Sequence, residues 1–392
     1  MKTKHDASME RSTFILIMAV AGIAFATTPH IAGSAPPARP QTATAPHVQN
    51  AKLESRALSA SLSETVHSII DHADNPEWIG YSVPGIPGNR TMCCGNFHDG
   101  NGQGCETCQL EHSNSGTITT TSKDATRGAP QPSGTVNLEG PQQLLVLFRV
   151  EAKQVVRIRM ASEDCTLDAG GLPVLWLTAV KAPESVNLLE TFVRSANFTE
   201  HGERAVGEEA LTAIALTGDP AANRALESFI AADQSEPLRK QTAFWLGAAR
   251  GKAGLSFLQK MAKTDPSPQV RSHVAFALSV SHEPAALDEM IRMAHDDSSA
   301  HVRGQALFWL AQEAGNKAVG TITGAIENDP DTEVKKKAVF ALSQLPKDQG
   351  VPKLIEVAQT NKNPVVRKQA MFWLGQSNDP RALDFFERVL TR

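Results

Sequence analysis

A 32-residue period governs the second half of the chain and constrains its fold more than any other feature. Leu238, Val270, Val302, Val334 and Val366 stand 32 apart, and a basic residue follows each: Arg239, Arg271, Arg303, Lys335 and Arg367. Six positions on come Phe244, Phe276, Phe308, Phe340 and Phe372; eight on come Leu246, Leu278, Leu310, Leu342 and Leu374. Five before each starting position stands Asp233, Asp265, Asp297, Asp329 and then Asn361. A degenerate unit opening at Val206, with Ala210 and Ile214 at the core offsets, completes about six units over 206–392.

Each unit reads as two helices. Offsets 0, +4 and +8 share one face of the first. The second has apolar residues at +17, +20 and +24, as in Leu255, Leu258 and Ala262, or Leu287, Met290 and Ala294. Short polar or glycine-containing turns separate them, and Pro266, Pro268, Pro330 and Pro364 punctuate the unit boundaries. One helix pair cannot bury both its sides, so the pairs are expected to stack into an α-solenoid with a continuous core.

The cores VRSHVAFAL (270–278), VRGQALFWL (302–310), VKKKAVFAL (334–342) and VRKQAMFWL (366–374) resemble HEAT repeats, notably the short class of bilin-lyase-like proteins. The resemblance covers nearly half of the chain and speaks to fold rather than activity. It implies ladders between repeats, in which Asp265, Asp297 and Asp329 with Arg271, Arg303 and Lys335 are structural. More weakly, WIGYSVPG (78–85), MCC (92–94) and SEDCTLDAGGLPVLWL (162–177) resemble the leading region of exported bacterial HEAT-repeat proteins. The family's enzymes fail on residues here. Iron-dependent hydroxylases of this fold carry His-Glu pairs in several repeats, whereas this array has only His282-Glu283, in a turn before Pro284. Bilin lyases imply a pigment context, and HEAT-like DNA glycosylases act on cytoplasmic DNA.

A second rhythm lies over the first. Offset +7 alternates Trp245, Ala277, Trp309, Ala341 and Trp373, and Gln241, Gln305 and Gln369 alternate with His273 and Lys337, which suggests a 64-residue duplication. The tryptophans read as alternating large-and-small packing between repeats, with a ligand-stacking row as the rival reading.

The N-terminus points to export. Lys2, Lys4, His5 and Arg11 precede the 13-residue apolar run Phe14–Ala26, which closes on Ala24-Phe25-Ala26. A charged start, a short apolar run and a small-residue exit describe a signal peptide over 1–26, too short to span a bilayer. Met9 is an alternative start. Residues 27–50, with Pro29, Pro36, Pro37, Pro40 and Pro46, read as a disordered linker. The expected site is periplasmic or secreted, with no stable membrane span after signal cleavage.

All five cysteines, Cys93, Cys94, Cys105, Cys108 and Cys165, fall in 51–198, and the repeats have none. In an exported chain this favours disulfides, with connectivity open. The alternative is a metal or redox site. Four thiolates from Cys93, Cys94, Cys105 and Cys108 would suit zinc, but the first hook lacks a spacer. The loop from Asp99 half-matches a calcium template, yet position 12 is Leu110 rather than glutamate. Glu163, Asp164 and Asp168 read as a solvated turn rather than an acid/base pair. Lys52–His72 has apolar residues at helical spacing, 114–135 reads as a loop, Leu144–Val150 and Val155–Met160 as a hairpin, Val174–Val180 as a strand and Pro183–Ser195 as a helix. The expected fold is mainly α: a small cysteine-containing α+β domain at 51–198, then a HEAT-like α-solenoid of helix pairs at 199–392.

Function follows less directly. A net charge of −4, with 22 basic and 22 acidic residues over 206–392, leaves no stripe for nucleic acid. No nucleophile, phosphate-loop or metalloprotease motif occurs. The expectation is a non-enzymatic exported scaffold without cofactor, binding protein partners. The resemblance implies that the second helix of each pair lines the concave side. On that helix +19 and +22 are expected to turn outward, giving a partner surface of Phe257, Lys260, Arg292, Lys353, Phe385 and Arg388.

Overall fold

The computed structural model describes residues 45–88, 90–94, 96–99, 107–111, 142–198, 206–313 and 315–391. The expected signal peptide, most of the linker, Cys105 and the 114–135 loop lie outside these residues.

The N-terminal half contains ten strands among the described residues: β1 (His47–Gln49), β2 (Leu53–Ala57), β3 (Glu77–Pro84), β4 (Arg90–Cys93), β5 (Asn96–Asp99), β6 (Thr107–Gln109), β7 (Gln143–Glu151), β8 (Gln154–Ser162), β9 (Thr166–Asp168) and β10 (Val174–Thr178). A five-stranded sheet runs in the order β2-β10-β3-β7-β8. β7 and β8 form the expected hairpin, with Leu144 opposite Ser162. The two helices of this half, α1 (Leu62–His72) and α2 (Ala182–Ser195), cover one face of the sheet.

Alternation along the strands decides which side each residue serves. Ile79, Tyr81, Val146, Phe148, Leu175 and Leu177 face the helices. Trp78, Leu145, Leu147, Ala161 and Trp176 face a second layer, built on the three-stranded sheet β1-β9-β6. Cys94, Cys108 and Cys165 are buried in that second layer. The helix expected over Lys52–His72 begins only at Leu62, behind a Ser61 cap whose side chain accepts from the Glu64 N–H. Leu53–Ala57 instead pairs in parallel with β10, so the sheet's demand for an edge strand overrides a helical pattern.

Cys94 is joined to Cys108 with their Cα atoms 5.1 Å apart. Cys93 and Cys165 are also disulfide-bonded, and no described cysteine is free. Closing a loop of 14 residues restricts the unfolded chain. Cys94→Ser/Cys108→Ser is therefore expected to destabilise the α+β half by roughly 3 kcal/mol. Urea titration followed in the near-ultraviolet signal of Trp78 and Trp176 would measure it. Mass spectrometry of the unreduced protein should find four or more cysteines protected from alkylation.

The repeats form six helix pairs. The first helices are α3 (Val206–Leu216), α5 (Glu236–Ala249), α7 (Pro268–Ser279), α9 (Ala300–Glu313), α11 (Thr332–Gln344) and α13 (Pro364–Gln376). The second helices are α4 (Pro220–Phe229), α6 (Gly251–Thr264), α8 (Ala285–Asp296), α10 (Asn316–Asn328), α12 (Lys347–Thr360) and α14 (Pro380–Leu390). Short capping residues start them: Ser267 accepts from the N–H groups of Gln269 and Val270, and Asp331 from those of Glu333 and Val334. Offsets 0, +4 and +8 of the five clear units are all buried, as expected.

Where the two helices of a pair cross, the residue at +16 is small: Gly254, Ala286, Ala318, Gly350 and Ala382. A Cβ on Gly254 would come within 1.9 Å of the Leu246 carbonyl oxygen, and one on Gly350 within 2.3 Å of that of Leu342. The apolar interior does not break at 198/199. One continuous core runs from the helix-facing side of the sheet through α1 and α2 into the array.

Candidate functional site

The aspartates and arginines singled out by the period form a buried ladder. Arg239 donates to Asp265 from Nε at 2.9 Å and Nη2 at 3.2 Å. Arg271 grips Asp297 at 2.8 and 2.9 Å, and Arg303 grips Asp329 at 2.7 and 3.0 Å. Each remaining Nη1 turns to the backbone of the preceding boundary: Arg271 to the Asp265 carbonyl and Arg303 to the Asp297 carbonyl, both at 2.9 Å. The carboxylates also accept from the N–H groups of Ser267, Ser299 and Asp331. Burial pushes the Asp297 and Asp329 carboxyls up, but the arginine and backbone bonds outweigh it and hold both below their ordinary value. The last rung changes. Lys335 donates to the Glu327 carbonyl, and Arg367 to that of Asn361, so backbone bonds persist without the ion pair. These groups hold repeats together, each arginine–aspartate pair being tied to the other and to the backbone.

The aromatic offsets form a row along the first helices. Phe244 stacks on Phe276 at 5.9 Å and 15°, and Phe308 on Phe340 at 5.9 Å and 4°. Between these pairs, Phe276 meets Trp309 and Phe340 meets Trp373, each at 4.8 Å and 41°. The contact geometry thus repeats every second unit, which is the 64-residue rhythm seen in space. The alternating tryptophans pack between repeats, as expected, but most of the row remains half-buried rather than sealed. Phe372 ends it, 54% exposed.

At its other end the row meets the sheet. A groove of about 270 Å³ opens between β8 and α3, α5 and α7. Ile158 and Met160 of β8 form one wall, Phe244, Trp245 and Phe276 the other, and Glu208, Gln241 and His273 the polar rim. Deeper in, Glu209 fixes the strand: Oε2 accepts from the Ile158 N–H at 2.7 Å, and Oε1 lies 3.7 Å from Nη1 of Arg159. Both side chains are buried. At the rim, Glu208 Oε1 accepts from the Gln241 amide at 2.9 Å. Sequence reasoning missed this groove. Its one visible signal was the Glu208-Glu209 pair in the degenerate unit, where +3 is buried because α3 abuts a sheet instead of a preceding repeat.

The expected partner surface on the second helices needs correction. The buried face there is wider than expected: +16, +20 and +24 are buried in at least four of the five units and +23 in three, whereas +17 is buried only at Leu255 and Val351. The 100° step then turns +19 inward. Phe385 is 1% exposed and Glu289 5%, and Phe257 is half-buried against the core. Offset +22 does face outward, but its charges are matched locally. Lys260 pairs with Glu227 at 3.3 Å, Arg292 with Glu289 at 2.5 Å, and Arg388 donates to the Asp384 carbonyl at 3.2 Å. Lys353 at +19 is part-exposed and pairs with Glu356 at 2.8 Å. No apolar anchor stands among them.

The rival sites lose their chemistry. Cys94 and Cys108 are bonded to each other and Cys93 is disulfide-bonded, so these sulfurs are not thiolate ligands. Asp168 accepts from the Asn50 amide and the Gly170 N–H, and Glu163 from the Gln142 N–H, which makes them turn caps. Burial raises the Asp164 carboxyl. Among the described residues, no three His, Cys, Asp or Glu side chains gather as a metal site. No described helix is long and apolar enough to cross a membrane.

The profile of HEAT repeats matches residues 223–311 and 321–392. Among solved structures, the chain is similar to the CpcE–CpcF complex of phycocyanin lyase from Nostoc sp. PCC7120, at 21% identity over 40% of this chain and 99% of that one, with a TM-score of 0.31. It is also similar to human deoxyhypusine hydroxylase (18% identity, 53% of this chain and 90% of that one, TM-score 0.27). A third likeness is to the S. pombe condensin Cnd3–Cnd2 subcomplex (18% identity, 52% and 28%, TM-score 0.33). No curated protein matches the sequence.

Proposed function

From the premise that the C-terminal array is built of HEAT repeats, we propose that this chain is an exported, non-enzymatic scaffold that binds a protein partner along its first helices. The binding surface begins at the groove between β8 and α3, α5 and α7 and follows the aromatic row. One observation carries the reading: rigid aromatic side chains, half-buried and continuous across repeats, line an open groove. Aromatic side chains lose little conformational entropy on binding and dominate interface energetics. On the second helices the charges at +22 are matched locally, and the large exposed apolar side chains, Leu383, Val389 and Leu390, are confined to the last one, α14, and include no aromatic ring.

Export rests on the charged, apolar and small-residue succession over 1–26, and the disulfides support it, because such bonds persist in oxidising compartments. N-terminal sequencing of the exported protein is expected to begin after Ala26. For the surface, Phe244→Ala/Phe276→Ala is compared with Lys260→Ala/Arg292→Ala in recovery of partners from the same compartment. The first variant is expected to lose them by more than tenfold, in line with truncation of interface aromatics, and the second to keep them. Equal recovery by both variants, with circular dichroism unchanged, overturns this surface.

A further inference from the structure

We propose that the groove between β8 and the first three repeats receives one basic side chain, arginine or lysine, of the protein partner. The proposal rests on the reading that the array binds a protein, and it names what the groove recognises.

Charge decides the sign. Among the described residues, two acidic side chains, one arginine and one histidine, His273, line the groove. Arg159 and Glu209 lie deepest and answer one another. Glu208 remains at the mouth, half-buried, and its carboxylate is bonded there to the neutral Gln241 amide. Among the described residues, the groove therefore carries about one negative charge beyond the Arg159–Glu209 pair, in a part-desolvated setting where an ion pair gains more than on an open surface. An anionic or phosphorylated segment would meet repulsion there.

The walls decide the shape. Arginine and lysine are long apolar stems with a cation at the tip, and the stem is stabilised by apolar cover while the head keeps polar company. Ile158 and Met160 on one side, with Phe244 and Phe276 on the other, provide that cover below Glu208. Aromatic rings also attract a neighbouring cation, more strongly once water is excluded. Size points to a side chain rather than a free ligand. At about 270 Å³ the groove lies at the small end of the ~300–1,000 Å³ of pockets that enclose small molecules. It is also open toward the remaining aromatic row, so the rest of a bound segment has somewhere to lie.

The test uses the full chain and three blocked pentapeptides, Ala-Ala-X-Ala-Ala, in which X is arginine, lysine or citrulline. Citrulline keeps the shape of arginine without its charge. Calorimetric titration is expected to show saturable one-to-one binding of the two basic peptides, with citrulline about tenfold weaker. Glu208→Gln should lose a similar factor for the basic peptides and none for citrulline, with its melting temperature unchanged, because Glu208 lies outside the core. Lys260→Ala, on the other side of the repeats, should bind as the wild type does. Equal affinity for arginine and citrulline, or no saturable binding at millimolar peptide, overturns the proposal. In that case the partner-recovery comparison still judges the surface independently, since the Phe244→Ala/Phe276→Ala variant reads the aromatic wall and not the charge.

Discussion

Asp297→Ala is expected to destabilise the array by about 3–5 kcal/mol, as other broken buried ion pairs do. The loss comes less from the pair's own attraction than from what remains. Arg271 would be left buried with its Nε and Nη2 donors facing a void that water reaches poorly. The backbone N–H of Ser299 would lose its acceptor as well. A repeat array transmits such damage only to its neighbours. Hydrogen exchange should therefore rise first in α7, α8 and α9 and least in α14. Removing both partners, as Arg271→Met/Asp297→Leu, should cost clearly less than Asp297→Ala, because two apolar side chains leave no unmet charge. The molecule already tolerates one such softening, at Lys335 and Asn361, where backbone acceptors replace the carboxylate.

The same ladder fixes a pH dependence. The folded-state values of Asp297 and Asp329 lie below the ordinary carboxyl value. Their contribution is complete above that ordinary value, about 4, and disappears as pH falls through the lower folded-state values. Urea titrations at pH 7 and pH 3 should show the gap between wild type and Asp297→Asn narrowing at the acid end. A gap that stays constant would mean that the carboxylate's charge contributes nothing at this rung.

What the sequence could and could not disclose follows from the range of the interactions. The first helices were legible because 0, +4 and +8 repeat five times and because Arg and Asp recur at fixed spacing; every one of those core positions is buried. On the second helices +20 and +24 were legible, but the buried +16 was not, and +17 is buried only at Leu255 and Val351. Alanine and glycine at +16 look neutral in a pattern, yet they mark the helix crossing and so the centre of the buried stripe. The buried face therefore reaches further round the helix than the pattern suggested, and Phe385 and Glu289 at +19 fall inside it. In the N-terminal half, the hairpin and α2 announced themselves locally. The edge strand β2 did not, since its pairing partner β10 lies more than a hundred residues on. The groove was hidden for the same reason, because Ile158 and Met160 meet Phe244 and Phe276 only once α3 has docked on β8.

That docking joins an apolar core to one buried polar side chain, Glu209, and its removal carries the second large effect. β8 is the last strand of the five-stranded sheet, and an open strand edge invites pairing with other chains. Glu209 of α3 closes it by accepting the Ile158 N–H at 2.7 Å while standing against Arg159. Glu209→Leu would leave a buried guanidinium without its carboxylate and a buried N–H without its acceptor. The expected cost is again about 3–5 kcal/mol. Glu209→Gln should cost less, because an amide oxygen can still accept from Ile158 while only the ion pair with Arg159 is lost. The two variants thus separate the hydrogen bond from the ion pair. Because the core passes without a break from the sheet into the repeats, the damage should appear on both sides of the joint. Faster exchange is expected in β8 and in α3 together, with α11 to α14 unchanged. The groove depends on the same joint, so Glu209→Leu should also lose the basic peptides even though Glu208 and both phenylalanines remain. Retained peptide binding in a protein whose β8 and α3 exchange freely would mean that the groove does not need the sheet. Its recognition would then belong to α5 and α7 alone.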